Sequence, residues 1–346
     1  MRFLSDNTAP AAPEILAALE QVNHDRVHAY GDDEWTQRLD TRFSEHFGAA
    51  VRVFPVATGT AANSLALATL APPYGAIFAH QDAHIAVDEC GAPGFFSGGA
   101  QLALLPGEHG RISPETFAAA LTAHRQDVHT VQPAALSLTQ ATELGTAYRP
   151  QELRRLADFA HARGLKVHMD GARFANVVAT LGCHPGDITW RCGIDVLSFG
   201  ATKNGALAAE AVVFFDPHLV RDFELRRKRA GHLLSKSRFI AAQLLAYLES
   251  GVWLRNAHRA NELAQRVAQA AGTRVRHPVE ANEIFLHLGD AGRTRLRAAG
   301  FEFYDWGPAT SGEARLVVSW DQPEAEVTAL CSALRNLPVT APAVPP

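Results

Sequence analysis

The sequence predicts an α/β protein: a mostly parallel sheet of seven strands between helices, followed by a small α+β unit. Three observations carry this. Short apolar, β-type runs alternate with helical patterns from about residue 50 to 215, the signature of strands joined by crossover helices. Near residue 237 the alternation gives way to long helical stretches. A length of 346 residues is too great for one simple core and short for three domains.

The strand-like runs are Val51–Val56, Ala76–Ala79, Gln101–Leu105, Ala134–Leu138, Leu165–Met169, Ile194–Phe199 and Ala211–Phe215. Between them, helical patterns cover Thr60–Leu70, Pro114–His124, Pro150–Arg163 and Arg173–Leu181. Ser113 before Pro114 gives an N-cap and first-turn proline, and Pro150 stands where a helix starts. Helices are then expected at Arg238–Leu248 and Val252–Ala271, strands at Glu283–Leu288, Phe301–Trp306 and Ala314–Trp320, and helices at Ala291–Ala299 and Pro323–Leu334. This divides the chain into a large domain over 1–245, including an N-terminal segment 1–12, a small α+β domain over 246–337, and a Pro/Ala tail over 338–346 expected to be disordered.

Composition narrows the function. Net charge is −4 and no basic run is longer than Arg226-Arg227-Lys228-Arg229, so nucleic acid is not an expected partner. That tetrad reads either as a solvated helix end or as a phosphate-facing or subunit-interface patch. No segment approaches the ~18 apolar residues of a membrane span, and Met1-Arg2-Phe3-Leu4-Ser5-Asp6 turns polar too soon for a signal peptide. Four scattered cysteines (Cys90, Cys183, Cys192 and Cys331) fit free thiols in a reducing cytoplasm. Histidines are abundant, but His80 and His84 flank what reads as a loop, so no metal site is expected.

The chemistry gathers at the ends of the strand-like runs. Lys203 lies in Ser198-Phe199-Gly200-Ala201-Thr202-Lys203-Asn204-Gly205, among small residues where a solvated lysine has no reason to be. Asp170 ends the run Lys166-Val167-His168-Met169-Asp170, one strand–helix–strand unit upstream. Both are expected at carboxyl ends of nearby parallel strands, where open α/β sheets bind ligands. The pair suits pyridoxal phosphate: the lysine forms a Schiff base with the aldehyde, and the aspartate keeps the pyridine nitrogen protonated. Ala57-Thr58-Gly59-Thr60-Ala61-Ala62-Asn63, between a strand and a helix, supplies a phosphate cup in which Gly59 and Thr60 offer helix N-terminal amides. His84, in a loop after the second strand, is placed to stack on the ring or to act as a general base.

With these motifs in order, the chain resembles the threonine aldolase family (low-specificity L-threonine or phenylserine aldolase type) of fold-type I pyridoxal phosphate enzymes. The matching segments are Leu4-Ser5-Asp6-Asn7-Thr8, Tyr30-Gly31-Asp32-Asp33, the phosphate loop, Asp82-Ala83-His84-Ile85, His168-Met169-Asp170-Gly171-Ala172-Arg173, the lysine segment and Arg315-Leu316-Val317-Val318-Ser319-Trp320-Asp321. They run through about residues 3 to 335. The resemblance implies that Lys203 is the Schiff-base lysine, Asp170 the ring-nitrogen partner, Gly59 and Thr60 phosphate ligands, and His84 the residue against the ring. It further implies that Ser5, Arg173 and Arg315 hold the substrate α-carboxylate, for which guanidinium is the fitting bidentate partner; the alternative for either arginine is a salt bridge. Sites in this family form between subunits, so Tyr30 and the 229–236 region, with Lys236 near the phosphate, would serve a neighbour's cofactor in a homodimer or homotetramer.

One departure stands out. Many relatives carry a histidine in a segment like Glu-Asn-Thr-His after the fourth strand, whereas this chain reads Thr139-Gln140-Ala141-Thr142-Glu143. Thr142 is a possible hydrogen-bond donor, Glu143 a base or merely a loop carboxylate, and His84 the leading base. The expected reaction is reversible retro-aldol cleavage of L-threonine, L-allo-threonine or a relative such as phenylserine to glycine and an aldehyde. The alternative is a β-eliminating lyase or aminotransferase of the same fold, which would share Lys203, Asp170 and the phosphate cup. Retention of all these groups argues against a catalytically silent relative, and no GxGxxG follows the first strand to suggest a dinucleotide.

Overall fold

The computed structural model describes residues 1–125 and 127–338. The expected tail lies, from residue 339, outside the described residues. Two helices, α1 (Pro13–Gln21) and α2 (Glu34–Phe47), precede the first strand. The chain then runs β1 (Arg52–Val56), α3 (Gly59–Leu70), β2 (Gly75–His80), α4 (His84–Val87), α5 (Ala92–Ser97), β3 (Gln101–Leu105), α6 (Pro114–Ala123) and β4 (Gln132–Thr139). It continues through α7 (Pro150–His161), β5 (Lys166–Gly171), α8 (Phe174–Leu181), β6 (Val196–Gly200) and β7 (Glu210–Phe214).

These seven strands form one sheet in the order β1-β7-β6-β5-β4-β2-β3. All pairings are parallel except those of β7, which runs against both β1 and β6. The connection over 201–209 is too short for a parallel crossover, which takes about a dozen residues or more, so β7 returns beside β6 in the opposite sense. That return carries Lys203. The pairing also sets Thr139 beside Asp170, Asp170 beside Ser198, and Gly200 beside Glu210. Ends of four adjacent strands therefore bring their side chains to one rim of the sheet.

Helices cover both faces, so β2, β6 and β7 are buried along their whole length. On one face, α2 buries Leu39, Phe43 and Phe47 at four-residue intervals and leaves its charged residues outside. Asp33 caps it by accepting the Thr36 amide at 2.8 Å. The rings of Phe43 and Phe199 meet edge-on at 5.2 Å across this interface. On the other face α3 is buried on nearly every side, with Asn63 and Ser64 among its alanines and leucines.

After α9 (Phe223–Arg229) come α10 (Arg238–Glu249) and α11 (Val252–Ala271), then β8 (Glu283–His287), α12 (Gly289–Ala298), β9 (Tyr304–Trp306), β10 (Glu313–Val317) and α13 (Glu324–Arg335). The last three strands make an antiparallel sheet in the order β8-β10-β9. Helix α11 contributes Val252, Trp253 and Ala257 to the core of the large sheet and Leu263, Ala264 and Val267 to that of the small one. The N-terminal segment spans the same divide: Phe3 is buried in the small sheet's core, while Ala12 donates its amide to the Gly205 carbonyl at 2.7 Å.

The predicted strands of the large sheet all form, with α1, α2, α4, α5 and α9 in addition. The expected strand over Phe301–Trp306 shrinks to β9: only Tyr304–Trp306 pair with β10, while Glu302 exchanges backbone hydrogen bonds with Met1 and Phe3 of the N-terminal segment. His84 opens a short helix instead of lying in a loop. The basic tetrad is the last turn of α9: Lys228 and Arg229 are exposed on this chain, whereas Arg227 is buried with its guanidinium over Phe54.

Gly200 closes β6 where a Cβ would lie 2.7 Å from the backbone of Ala172, beside the site. Gly200→Ala should therefore lower stability by about 1–3 kcal/mol, read as a drop in the denaturant midpoint without a change in slope.

Candidate active site

A cavity of about 520 Å³ opens at the carboxyl ends of β4, β5 and β6. Gly59, Thr60, His84, Asp170, Arg173 and Lys203 all line it. Six expected site residues, spread over 145 positions of sequence from Gly59 to Lys203, thus meet around one space.

The amino end of α3 forms one wall. Thr58 caps the helix, its hydroxyl accepting the Ala61 amide at 3.1 Å and its carbonyl the Ala62 amide. Among the described residues, the amides of Gly59 and Thr60 have no partner, and a Cβ at Gly59 would meet nothing within 4 Å. Two free N–H groups at the positive end of a buried helix face open space, which is what a phosphate requires. At the end of β5, Asp170 is buried and accepts from the Ala172 amide at 2.9 Å and from Asn63 Nδ2 at 2.7 Å. A buried carboxylate with acceptor capacity left suits a protonated ring nitrogen. Lys203 Nζ has no hydrogen bond or ion pair among the described residues, so an amine stands in the cavity free to react. The donor set fits pyridoxal phosphate at its phosphate, ring nitrogen and aldehyde.

His84 is held at both ends. Its backbone amide donates to Glu143 Oε1 at 2.8 Å, and its ring Nδ1 bonds Glu89 Oε1 at 2.9 Å. Nε2 is left without a partner among the described residues, and the side chain is 38% exposed toward the cavity. The hydrogen bond to Glu89 raises the imidazole's pKa above its ordinary value; burial opposes it and the charge of Asp170 adds to it.

Glu143 lines the cavity and ties down the segment that carries His84. Oε1 accepts both the His84 amide and the Thr139 hydroxyl at 2.9 Å, while Oε2 is shielded and has no partner. Burial pushes its carboxyl pKa up to about 7. It is a clamp on the His84 segment. Thr142 is not the donor the sequence offered: its hydroxyl is buried against Thr146 and the His109 carbonyl.

Arg173 opens on the cavity yet is fully paired. Nε and Nη2 donate to the Asp6 carboxylate at 2.8 and 3.0 Å, and Nη1 lies 3.0 Å from Glu283. Glu283 also accepts from Arg315 Nη2 at 2.6 Å. The result is an alternating row, Asp6, Arg173, Glu283, Arg315, so the salt-bridge alternative holds for both arginines as they stand here. Arg315 is one carboxylate removed from the cavity. Ser5 also stays back, its hydroxyl accepting the Asn7 amide at 3.2 Å, and Asn7 reaches the cavity in its place. Tyr30 and Lys236 are exposed and away from this cavity; Tyr30 borders a separate cleft with Arg227, under the ammonium of Lys228.

Several functional neighbours escaped the sequence. Asn63 ended a quoted motif and Glu89 follows His84 by five residues, but neither spacing announces a contact. Glu210, at the start of β7, accepts from the Ala201 amide at 3.2 Å, and burial pushes its pKa up to about 7 against the nearby charge of Lys203. Among the described residues no group of side chains could hold a metal ion.

A mostly parallel sheet with a free lysine, a buried aspartate and a phosphate-ready helix at one rim defines a pyridoxal phosphate enzyme. The sequence model of the β-eliminating lyase family matches residues 2–291. The low specificity L-threonine aldolase of a Pseudomonas species is 44% identical over 338 residues, covering 96% of this chain and 97% of that one. A threonine aldolase structure from Leishmania major superposes with a TM-score of 0.91 at 25% identity, covering 97% of this chain and 99% of that one. A Sphingomonas wittichii serine palmitoyltransferase shares the fold, with a TM-score of 0.72 at 15% identity over 97% of this chain and 86% of that one. The chain belongs to the threonine aldolase family.

Burial raises the Asp6 pKa, but the charges of Arg173 and Lys203 and hydrogen bonds from Arg173 and Asn282 outweigh it, and the net shift is downward. Its stabilisation is present above the unfolded carboxyl value of about 3.9 and is lost as pH falls through the lowered folded value. Asp6→Asn should flatten the acid limb of the stability–pH curve below about pH 4 and cost about 3–5 kcal/mol at neutral pH, measured by urea denaturation across pH.

Proposed function

We propose that this protein is a pyridoxal phosphate-dependent aldolase that cleaves L-threonine, L-allo-threonine or related β-hydroxy-α-amino acids to glycine and an aldehyde. The observation that carries the reading is the unpartnered amine of Lys203 sharing one cavity with Asp170, the open amino end of α3 and the free Nε2 of His84. The 44% identity to a low specificity L-threonine aldolase supports the reaction class.

When bound, pyridoxal phosphate supplies an electron-withdrawing ring that accepts the electron pair of a bond broken at Cα. The protein's groups do the rest. The amides of Gly59 and Thr60 hold the phosphate, Asp170 holds the proton on the pyridine nitrogen, and Lys203 provides the amine that the substrate amine replaces. Arg173 fixes the substrate carboxylate, with Arg315 behind it; an incoming carboxylate competes with Asp6 and Glu283 for guanidinium already paired. Fixing the carboxylate orients the Cα–Cβ bond and so selects which bond breaks. Nε2 of His84 accepts the β-hydroxyl proton as that bond opens and the aldehyde leaves. Cα gains one proton for the one lost from the hydroxyl, so cleavage is proton-neutral overall.

Tyr30 and Lys236 act, on this reading, in a neighbouring copy's site, which makes the working unit a homodimer or homotetramer. Their exposure and distance from the chain's own cavity support that assignment. Four free cysteines, and no described helix long and apolar enough to cross a membrane, support a cytoplasmic setting.

The test is the product. Purified protein loaded with cofactor should convert L-threonine to equal amounts of glycine and acetaldehyde. Lys203→Ala should lose both the lysine-bound cofactor's visible absorbance and turnover by several orders of magnitude. Pyruvate with ammonia, or a transferred amino group, would move the function to a lyase or aminotransferase.

A further inference from the structure

His84, Glu89, Asn63 and Asp170 form a continuous row of hydrogen bonds along the wall of the cavity. His84 Nδ1 meets Glu89 Oε1 at 2.9 Å, Asn63 Nδ2 donates to the same Oε1 at 2.8 Å, and Asn63 Nδ2 also donates to Asp170 Oδ2 at 2.7 Å. We propose that Glu89 and Asn63 are positioning residues: Glu89 fixes the tautomer of His84 so that Nε2 keeps the lone pair that takes the substrate's β-hydroxyl proton, and Asn63 ties that carboxylate to Asp170. The inference rests on the aldolase reading and adds to it the group that makes His84 a base.

The geometry leaves little latitude. The Glu89 side chain is closed to solvent, and its second oxygen is buried without a partner. Oε1 is therefore its only partnered oxygen, and there it faces two nitrogens. Burial raises the Glu89 carboxyl pKa while hydrogen bonds from His84 and Asn63 lower it, and Oε1 already accepts the Asn63 amide. That oxygen therefore meets Nδ1 as an acceptor, Nδ1 carries the proton and the neutral ring's lone pair falls on Nε2. The orientation of Asn63 follows from the same rule. Its nitrogen sits between two carboxylates, where a carbonyl oxygen would be repelled, and its own Oδ1 is left buried and unpaired. A residue needed only to satisfy Asp170 would use one amide hydrogen; Asn63 uses both. The arrangement follows the logic by which a buried carboxylate orients the imidazole of a serine hydrolase. The charged and titratable groups around the ring are Glu89, Asp170 and Lys203, with Glu143 on its backbone amide.

The direct test is 15N NMR of histidine-labelled protein, followed through a pH titration with and without cofactor. Neutral His84 should show protonated Nδ1 and unprotonated Nε2. Glu89→Gln, which keeps the shape and removes the charge, should lower the His84 midpoint and mix the tautomers. In the same variant, threonine cleavage at the high-pH plateau should fall by about a hundredfold, the low end of what positioned proton transfer contributes, and the midpoint of its pH profile should move down. Exchange of the glycine α-proton in D2O involves no β-hydroxyl, so Glu89→Gln should slow it at least tenfold less than it slows threonine cleavage. Asn63→Ala also disturbs Asp170 and should slow cleavage and glycine exchange together. A wild-type His84 protonated at Nε2 when neutral would overturn the inference whether or not any variant folds. So would superimposable pH profiles for wild type and Glu89→Gln. Wild-type protein that makes no glycine and aldehyde would instead sink the aldolase reading, with the tautomer measurement still standing on its own.

Discussion

The negative charge of Asp170, held in a nearly water-free wall at the end of β5, is the constraint around which the rest of the site is built. A buried carboxylate without donors is costly, and here the donors are the Ala172 amide and Asn63. Asn63 can reach it because α3 packs across β5 and β6 and is buried nearly all round. The same charge acts on its neighbours. It helps to keep a proton on His84 and adds to the burial that drives Glu143 toward its neutral form. One ionised group thus helps set the protonation of two others, and a bound ring nitrogen would share that charge.

Arg173 answers a second version of the same problem at the cavity wall. A guanidinium at the cavity wall must stay charged without water, and the row from Asp6 to Arg315 lets it do so. Two carboxylates and two guanidiniums alternate, so no member lacks an opposite charge. Any further anion that reached this row would meet charge already balanced rather than a bare cation.

The large sheet was legible because its strands are buried on both faces and so read as unbroken apolar runs between helix signals. Helix α2 was not, since only every fourth residue faces the core and the charged remainder dilutes the pattern. The site divides the same way. Asp170, Lys203, Gly59 and His84 sit where strands end, in short motifs whose residue types announce their chemistry. The partners that set their state come from elsewhere: Glu143 from the loop after β4, Asn63 from the second turn of α3, Asp6 and Glu283 from opposite ends of the chain. Thr142 and Glu143 are adjacent in sequence, and nothing local tells that one turns into the interior while the other reaches the cavity wall. Such pairings are properties of packing and have no signature in the order of residues.

The ion row has a consequence for how the molecule assembles. Asp6 and Arg173 stand 167 residues apart, and Glu283 lies 32 residues before Arg315 on the neighbouring strand of the small sheet. Closing contacts of such long sequence separation pays loop entropy before it returns any stabilisation, so they form late, after the local strand–helix units have condensed. The open amino end of α3 is made within a single strand–helix turn, whereas the ion row waits for both ends of the chain. A half-folded chain can therefore carry the open end of α3 before the ion row beside Arg173 has closed.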